Sequence, residues 1–383
     1  MPSILYLDQS GQLGGAELML AEIARQVGDP AHVILFDDGP FVAYLEQLGV
    51  SVQVERVRLG VTKSGGWLAS ANAVPALLRQ VRTIVRHARR FDLIYANTSK
   101  ALVVGALAAA YLRKPLVYHL HDILDRSHFS PMNIRVLTSL ARFFAARVIA
   151  NSQATADAFV AASGDRSRVE VIYNGFDPTP FLTDQDGERV ATRVSLETQS
   201  SSFVTIVVGR IARWKGQHVL LEAARSQKDW TVWIVGDAFF TEEDMQYKRE
   251  LEEIASTADL AGRVKFCGFR KDLPTLYSAA DVVVHCSTAP EPFGRVIVEA
   301  MLSARPVVAS NAGGAKEIVR SDTTGWLVAP GDFCSLRETL LEIERNPGLA
   351  ALRAQAGRSD ALRRFSIDAI LGQIRTSVET CVF

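Results

Sequence analysis

The sequence predicts an α/β protein made of two doubly wound domains, each built around a parallel β-sheet. Two observations support this prediction. Short apolar runs alternate with longer helical patterns along the chain, as is typical of parallel strands that are buried on both faces. The order of strand, glycine-bearing loop and helix also occurs twice, at residues 5–15 and 205–216. The chain has 383 residues and is 48% hydrophobic, and this length favours two hydrophobic cores over one.

The first domain is predicted to span residues 1–178 and the second 179–365. The strands predicted for the first domain are 4–7, 32–36, 93–96, 116–119 and 148–150, and its helices are 16–27, 74–90, 100–111 and 134–146. A polar stretch at 183–202 indicates the start of the second domain. Its predicted strands are 203–208, 231–235, 264–266, 282–285 and 306–309, with a helix from Gln217. Ligands of open α/β sheets bind beyond the carboxyl ends of the strands, so we expect two such domains to face each other across a cleft.

Composition and charge exclude several classes of protein. Lys+Arg and Asp+Glu are equal at 42 each, so no overall charge attracts nucleic acid. The four cysteines contain no Cys-x-x-Cys pair, which argues against a zinc site or a disulfide framework and favours a reducing cytoplasm. The start of the chain reaches a charge at Asp8, too soon for a signal peptide. The most apolar window, residues 101–112, is too short to cross a bilayer.

The segment from Glu291 to Glu299 is the most informative motif. It places two carboxylates eight positions apart, on either side of a Pro/Gly turn and an apolar run that predicts a helix from about Phe293. Backbone N–H groups of Phe293 and Gly294 would then be first-turn donors, where the helix dipole favours an anion. Two carboxylates at this spacing suit a ligand with two hydroxyl-bearing rings. The alternative is that Glu291 caps the helix and Glu299 is solvated.

A cationic loop follows the first predicted strand of the second domain. Arg210, Arg213 and Lys215 lie between a strand end and a helix start, where positive charges oppose the helix dipole. A diphosphate would offset this, because Arg210 can contact two oxygens and Lys215 supplies a point charge. A solvated basic loop is the alternative. The Gly-x-x-x-x-Gly-Lys-Ser/Thr phosphate loop is absent.

Two further loops are candidates in the first domain. Gly14 and Gly15 follow the first strand and predict a phosphate- or sugar-facing loop, with a plain strand-to-helix turn as the alternative. The later Asp37-Asp38 pair resembles part of a dinucleotide motif, but the order Gly-x-Gly-x-x-Gly is missing. His121 lies at the carboxyl end of a predicted strand, where it could donate to a sugar hydroxyl; a structural histidine is the alternative.

No metal is expected at these loops. The Asp-x-Asp pair, Asp184 and Asp186, falls in the polar segment rather than at a strand end, and Arg210 and Lys215 can neutralise a leaving diphosphate instead. One predicted helix is basic and amphipathic, with Leu78, Val81 and Val85 on its apolar side. Its cations suit an anionic membrane surface or a lipid-diphosphate acceptor, and a solvated face is the alternative. These cations are Arg79, Arg82, Arg86 and Arg90.

Together the motifs resemble the retaining glycosyltransferases of the GT-B fold, in the large bacterial group called glycosyltransferase family 4. The resemblance runs nearly end to end, and the two-glutamate motif with the Arg/Lys loop is its most specific part. The positions that carry it are Gly14-Gly15-Ala16-Glu17, His121-Asp122, Asn174-Gly175, Gly209-Arg210, Lys215-Gly216, Gly268-Phe269-Arg270, Glu291 to Glu299, and Gly313-Gly314 with Glu317. A departure is Ser303-Ala304-Arg305, where many relatives have a glycine before the proline.

The resemblance implies a role for each of these positions. It implies that Arg210 and Lys215 hold the nucleotide diphosphate, Glu299 the ribose and Glu291 the hydroxyls of the transferred sugar. It also implies that the backbone of Phe293 and Gly294 contacts the sugar or phosphate, that Gly268, Phe269 and Arg270 border the base, and that His121 lies beside the anomeric carbon. The last helix, within 366–383, is expected to pack back on the first domain.

The implied reaction is transfer of a sugar, with retention of configuration and without a metal or cofactor, to a glycan or lipid-linked hydroxyl in cell-surface polysaccharide synthesis. A UDP-sugar is favoured over a GDP-sugar as donor. The expected location is the cytoplasm, with peripheral contact at the inner membrane face through the basic helix. Three alternatives stay open: a nucleotide-sugar epimerase, an NAD-dependent oxidoreductase and a non-catalytic sugar-nucleotide-binding protein.

Overall fold

The computed structural model describes residues 1–56, 73–126, 129–163, 165–182, 186–238 and 241–382. The chain divides into two compact units, of which the first is Met1–Gly175 with Ile367–Phe383 and the second is Phe176–Ser366. The N-terminal segment of the first unit ends at Gly175, close to the boundary at residue 178 that the sequence predicts. Among the described residues, none of the helices combines the length and the apolar character needed to cross a membrane.

The first unit is built on a sheet of seven parallel strands. These are β1 (Ile4–Asp8), β2 (Ala31–Leu35), β3 (Ser51–Val54), β4 (Leu93–Ala96), β5 (Leu116–Leu120), β6 (Arg147–Ala150) and β7 (Val169–Val171). They are arranged in the order β3-β2-β1-β4-β5-β6-β7. The five predicted strands are confirmed. The sequence missed β3 and β7, which are short and not fully buried, so they lack the continuous apolar run of the others.

Helices cover both faces of this sheet. They are α1 (Gly15–Gln26), α2 (Pro40–Gln47), α3 (Ala73–Ala88), α4 (Ser99–Leu112), α5 (Pro131–Phe144) and α6 (Gln153–Ser163). Side chains of β1 show why both faces need cover, because Leu5 and Leu7 belong to one buried cluster while Ile4 and Tyr6 belong to another. Successive strand residues point to opposite faces, which explains the unbroken apolar runs.

The second unit repeats the plan with six strands, all parallel. Its strands are β8 (Phe203–Val208), β9 (Trp230–Val235), β10 (Val264–Gly268), β11 (Val282–His285), β12 (Val307–Ser310) and β13 (Trp326–Val328), in the order β10-β9-β8-β11-β12-β13. Its helices are α7 (Thr179–Leu182), α8 (Asp186–Ser195), α9 (Gln217–Ala224), α10 (Glu242–Ala255), α11 (Leu273–Ala279), α12 (Arg295–Leu302), α13 (Ala315–Ile318), α14 (Phe333–Arg345) and α15 (Pro347–Arg364). The last helix, α16 (Ile367–Val382), packs on α1, β5 and β6 of the first unit.

The polar stretch at 183–202 belongs to the second unit, as the sequence predicts, and it contains a regular helix, α8, that the sequence analysis did not identify. One expectation about α3 is corrected. In α3, Leu78 is 49% exposed instead of lying in the core, whereas Leu77 and Val81 pack against the buried cluster. The four arginines of that basic helix segment are exposed as expected; these are Arg79, Arg82, Arg86 and Arg90. The side chains of Asp184 and Asp186 lie outside the described residues.

Candidate active site

In the second unit, the candidate residues gather where strand order reverses. β8 and β11 are neighbours, although β9 and β10 come between them in sequence and extend the sheet on the other side. Such a point opens a crevice beyond the carboxyl ends of the two strands. The loop after β8 carries Arg210 and Lys215, and Glu291 follows the end of β11 at His285. The topology therefore brings together two loops that are distant in sequence, since Lys215 and Glu291 are 76 positions apart.

Glu291 is held by three side chains. Lys215 Nζ lies 2.6 Å from its Oε1, and His285 Nε2 lies 2.6 Å from its Oε2. Ser287 Oγ donates to the same Oε2 at 3.0 Å. Burial opposes ionisation of this carboxyl, but the charges of Lys215 and His285 and their hydrogen bonds outweigh it and hold the pKa of Glu291 well below its usual range. Glu291 is therefore a fixed, ionised carboxylate whose side chain is largely buried.

Lys215 is positioned by a turn that only glycine fits. Gly216 has φ 72°, and a Cβ there would lie 2.0 Å from the carbonyl oxygen of Cys286. The loop is tied to the β11 side by the hydrogen bond from Thr288 N to Trp214 O at 2.8 Å. Lys215 Nζ lies 4.4 Å from the centre of the Trp214 ring, a cation–π contact. Packing thus restricts the ammonium group to the space beside Glu291.

Part of the positive charge of the cationic loop is compensated within the protein. Arg213 pairs with Glu250 and lies 4.9 Å from the centre of the Tyr247 ring, so its charge is compensated within the protein. Arg210 is 6.0 Å from the Trp214 ring centre, and its carbonyl accepts from Gln217 Nε2 at 3.0 Å. The expectation that all three cations need an external anion is corrected, because Arg213 has an internal partner.

The helix that carries Glu299 begins two residues later than predicted. Helix α12 starts at Arg295, and Gly294 precedes it with φ 105° in the left-handed region. Glu299 is buried, accepts from Tyr277 OH at 3.1 Å and has Arg295 Nε at 3.7 Å. Phe293 is only 3% exposed and packs between aromatic rings, 5.7 Å from Phe365. Its side chain belongs to the core, so only its backbone is suited to contact a ligand.

The remaining candidate glycines of this unit lie at close backbone approaches or turns. Gly313 has φ 58°, and a Cβ there would lie 2.2 Å from Glu291 O; the next residue, Gly314, donates its N–H to the same oxygen at 2.8 Å. This turn fixes the backbone that carries the Glu291 carboxylate. At the end of β10, Gly268 has φ 63°, and Phe269 after it is 56% exposed. Arg270 Nε donates to Asp272 Oδ1 at 2.7 Å.

The first unit has its own polar group at its switch point, between β1 and β4. Asn97 Nδ2 donates to Asp8 Oδ2 at 2.6 Å, and Asn97 Oδ1 lies 3.0 Å from His121 Nε2. His119 is buried and hydrogen-bonded to Tyr95. The ring centre of His119 lies 3.9 Å from that of His121. His121, not His119, is therefore the histidine at the edge of the sheet, and the Asn97 amide orients its ring.

Glu17 lies beside this group, in the first turn of α1. Its Oε2 would be 2.5 Å from a Cβ at Gly14, which shows how closely the carboxyl folds over the glycine loop. Burial and the nearby charge of Asp8 raise the pKa of Glu17 to about 8. Burial also raises the pKa of Asp8 to about 6, against hydrogen bonds from Asn97 and Ser10 that favour its charged form. Near neutral pH, these two carboxyls resist being ionised together.

We expect Glu17→Gln to stabilise the protein at high pH. A carboxyl whose pKa is raised on folding contributes stability below its unfolded value, near 4.5, that is lost as pH rises through about 8. At pH 9 the free energy of unfolding of the variant should exceed that of the wild type by about 1 kcal/mol, allowing for solvent screening. The difference should become smaller toward pH 5. Urea unfolding at several pH values measures it. Glu46→Gln, at an exposed position of α2, is the control; a gap independent of pH contradicts the prediction.

Sequence reasoning missed several members of both groups. His285 and Ser287 contact Glu291, and Asn97 connects Asp8 to His121. His285 ends its strand, while Asn97 directly follows β4. A polar residue at the carboxyl end of an apolar run was the available indication, and it was applied only to His121. Within the described ranges, no group of three or more His, Cys, Asp and Glu side chains is arranged to hold a metal ion.

Family models match both units of the chain. The model described as Glycosyltransferase Family 4 matches residues 13–179, and the model described as Glycosyl transferases group 1 matches residues 189–360. The chain belongs to glycosyltransferase family 4. The resemblance to glycosyltransferase family 4 is confirmed, and the two parallel sheets are the Rossmann-like units of the GT-B fold.

This glycosyltransferase is similar to proteins from several organisms. The structure of Anabaena HepE in complex with UDP-glucose is 43% identical, with a TM-score of 0.90, and the match covers 99% of this chain and 100% of HepE. The D-inositol 3-phosphate glycosyltransferase of Salinispora tropica is 29% identical over 96% of this chain and 81% of its own length. Human alpha-1,3/1,6-mannosyltransferase ALG2 is 26% identical over 97% of this chain and 94% of its own length.

Proposed function

We propose that this glycosyltransferase moves a hexose from a UDP-sugar to a hydroxyl of a glycan or lipid-linked acceptor, with retention of configuration and without a metal. The observation that supports it most is the ion pair of Lys215 and Glu291, 2.6 Å apart at the carboxyl edge of the second sheet. The pair lies in a chain that matches, over nearly its whole length, a protein solved with UDP and UDP-glucose. A partly exposed cation beside a fixed carboxylate suits a ligand with a diphosphate next to sugar hydroxyls.

In this proposal the donor lies along the carboxyl edge of the second unit. Lys215 and Arg210 neutralise the diphosphate, and Glu291 accepts from hydroxyls of the transferred sugar. Glu299 bonds the ribose, with the backbone of Phe293 and Gly294 between the two carboxylates. The turn of Gly268, Phe269 and Arg270 borders the base. The fixed geometry of Glu291 supports its proposed role in binding the sugar hydroxyls, since three side chains hold its carboxylate oxygens in place.

Retention is proposed because Glu291 is poorly suited to attack the sugar. A double displacement needs a carboxylate nucleophile on the face opposite the leaving group. The contacts from Lys215, His285 and Ser287 lower the nucleophilicity of Glu291, because each donor stabilises its charge. We therefore propose reaction on one face, in which the leaving phosphate oxygen accepts the acceptor's proton. Arg210 and Lys215 stabilise the charge on that phosphate, and His121 lies beside the anomeric carbon.

We propose a growing cell-surface polysaccharide or its lipid carrier as the acceptor. The exposed arginines of α3, together with exposed Val74 and Leu78, support peripheral contact of this helix with an anionic membrane surface. Sedimentation with anionic and with neutral vesicles tests the contact, and equal binding to both would exclude it.

A donor panel followed by product analysis tests the proposed function. A UDP-sugar at 100 times its dissociation constant adds about 2.7 kcal/mol to stability, so thermal shifts with UDP- and GDP-sugars identify the donor. We expect a UDP-sugar to give the largest shift, with EDTA having no effect on turnover. NMR of the product should show the anomeric configuration of the donor. An inverted linkage would overturn retention, and C2 epimerisation of donor alone would favour an epimerase.

A further inference from the structure

A buried tyrosine holds Glu299, the carboxylate that the proposed function assigns to the ribose. Tyr277 OH donates to Glu299 Oε2 at 3.1 Å. Because Tyr277 is fully buried, Oε2 faces the interior of the second unit. Burial and the nearby charge of Glu299 raise the pKa of Tyr277 well above its usual value. The hydroxyl therefore keeps its proton at neutral pH and stays a hydrogen-bond donor to the carboxylate.

The other oxygen of this carboxylate is suited to a ligand. Within the ranges that the structure describes, Glu299 Oε1 accepts no hydrogen bond, since Arg295 Nε at 3.7 Å is near enough for an ion pair only. The guanidinium of Arg295 is restrained by a cation–π contact, with its Cζ 4.3 Å from the centre of the Phe176 ring. The Glu299 side chain is 10% exposed. Glu299 thus has one oxygen bonded to the interior and one that can accept from a bound hydroxyl.

Tyr277 lies on α11, the helix that follows the turn proposed to border the base. This turn, at residues 268–270, ends three residues before the helix starts. The residue before the helix, Asp272, accepts from Arg270 Nε at 2.7 Å, which ties the turn to the start of the helix. One short helix therefore connects the turn at the proposed base site with the carboxylate Glu299.

We propose that Tyr277 is a positioning residue for the nucleotide, which fixes Glu299 so that Oε1 accepts from a ribose hydroxyl. The inference rests on the proposed function, which places the ribose at Glu299. A carboxylate rotates about its last bond, and a hydrogen bond to Oε2 removes this freedom before the ligand binds, which lowers the entropic cost of binding. Without the tyrosine hydroxyl, either oxygen can turn toward Arg295, and the contact with the ribose loses its fixed geometry.

Calorimetric titration with UDP, 2′-deoxy-UDP and 3′-deoxy-UDP tests this role. These nucleotides differ only in the ribose hydroxyls, so the ratio of their dissociation constants reports the ribose contact alone. We expect the wild type to bind UDP at least about tenfold more tightly than one of the deoxynucleotides, because a hydrogen bond to a charged group is lost. In Tyr277→Phe the same ratio should fall to about threefold or less, because the carboxylate is no longer fixed.

Tyr6→Phe is the matched control. It removes another buried tyrosine hydroxyl, which donates to Val27 O in the first unit. The ratio for this variant should equal that of the wild type. A lower unfolding temperature of Tyr277→Phe with an unchanged ratio would show that the hydroxyl only supports the fold, and this result would overturn the proposal while leaving the proposed function intact.

A double variant shows whether Tyr277 acts through Glu299. If it does, Tyr277→Phe should change the ratio in the wild-type background but not in Glu299→Ala, since the two residues then act as a unit. Equal changes in both backgrounds would overturn the proposal.

A crystal structure of the wild type with UDP gives a measurement that does not depend on the folding of any variant. We expect Glu299 Oε1 within hydrogen-bond distance of a ribose hydroxyl, with Oε2 still bonded to Tyr277. A ribose bonded to Oε2, with Tyr277 displaced, would overturn the proposal. A wild type that discriminates against neither deoxynucleotide would overturn both this proposal and the assignment of the ribose to Glu299. Failure of the wild type to bind UDP would instead overturn the proposed donor.

Discussion

Lys215→Ala should lower turnover by roughly 100-fold or more, equivalent to about 2.7 kcal/mol in the activation barrier. Lys215 pairs with Glu291 at 2.6 Å, and packing against Trp214 keeps it there. In the proposed reaction, it stabilises the charge that develops on the departing diphosphate. Alanine removes that charge and leaves the buried Glu291 carboxylate with His285 and Ser287 as its remaining described partners. Steady-state kinetics with saturating donor and acceptor measure the effect.

The kinetic constant that changes distinguishes catalysis from a structural role. If Lys215 only holds Glu291 in place, the variant should raise KM for the donor and lower the unfolding temperature while kcat stays within about threefold. If it stabilises the leaving group, kcat itself should fall. Lys228→Ala, at an exposed position before β9, is the matched control and should leave both constants unchanged. A wild-type kcat in Lys215→Ala would remove this residue from the diphosphate site.

Arg193→Ala should destabilise the second unit by about 3 kcal/mol or more, the usual cost of breaking a buried ion pair by removing one partner. The Arg193 side chain is 6% exposed and makes four hydrogen bonds, one of them to Asp281. Its loss leaves the buried Ala279 carbonyl and two partly buried carbonyls without their donor, and it weakens the compensation of Asp281. For a unit of this size, the unfolding temperature should fall by roughly 6–12 °C.

Differential scanning calorimetry of the variant and of the wild type measures this change. Arg249→Ala is the control, since that arginine is also paired with a carboxylate but is 52% exposed. An exposed pair of this kind contributes about 0–1 kcal/mol. If the free energy of unfolding of Arg193→Ala lies within about 1 kcal/mol of that of the control variant, the pair of Arg193 and Asp281 does not stabilise the unit.

The helix that carries Arg193 also shows where sequence patterns fail. In α8, Val190 and Val194 are 65% and 69% exposed, whereas Thr192 and Arg193 are buried. This reverses the usual pattern, in which apolar residues mark the buried face of a helix. The reason is that the buried face meets Asp281 and several backbone carbonyls, which an arginine satisfies and a valine cannot. Hydrophobic periodicity therefore could not find this helix in a polar segment.

The active-site loops present the opposite case. Lys215 was identified as one of three cations in a loop between a strand end and a helix start, and Glu291 by its spacing from Glu299. His121 was identified by its place at the carboxyl end of a predicted strand, where ligands bind. Their immediate neighbours were missed. Arg213 was counted with the ligand-binding cations, although Glu250 and the Tyr247 ring hold it. His285 was treated as the last residue of a strand, although it contacts the central carboxylate.

The sequence by itself determined the doubly wound α/β class, most of the strands and the loops that carry the candidate chemistry, because these depend on local periodicity and on glycines required by backbone geometry. Only the tertiary structure decided which charged groups meet. Lys215 pairs with Glu291 because β8 and β11 are neighbours, and Arg193 pairs with Asp281 because α8 packs on α11, the helix that precedes β11. Strand order and long-range side-chain contacts arise from the packing of the whole unit, which no local pattern in the chain specifies.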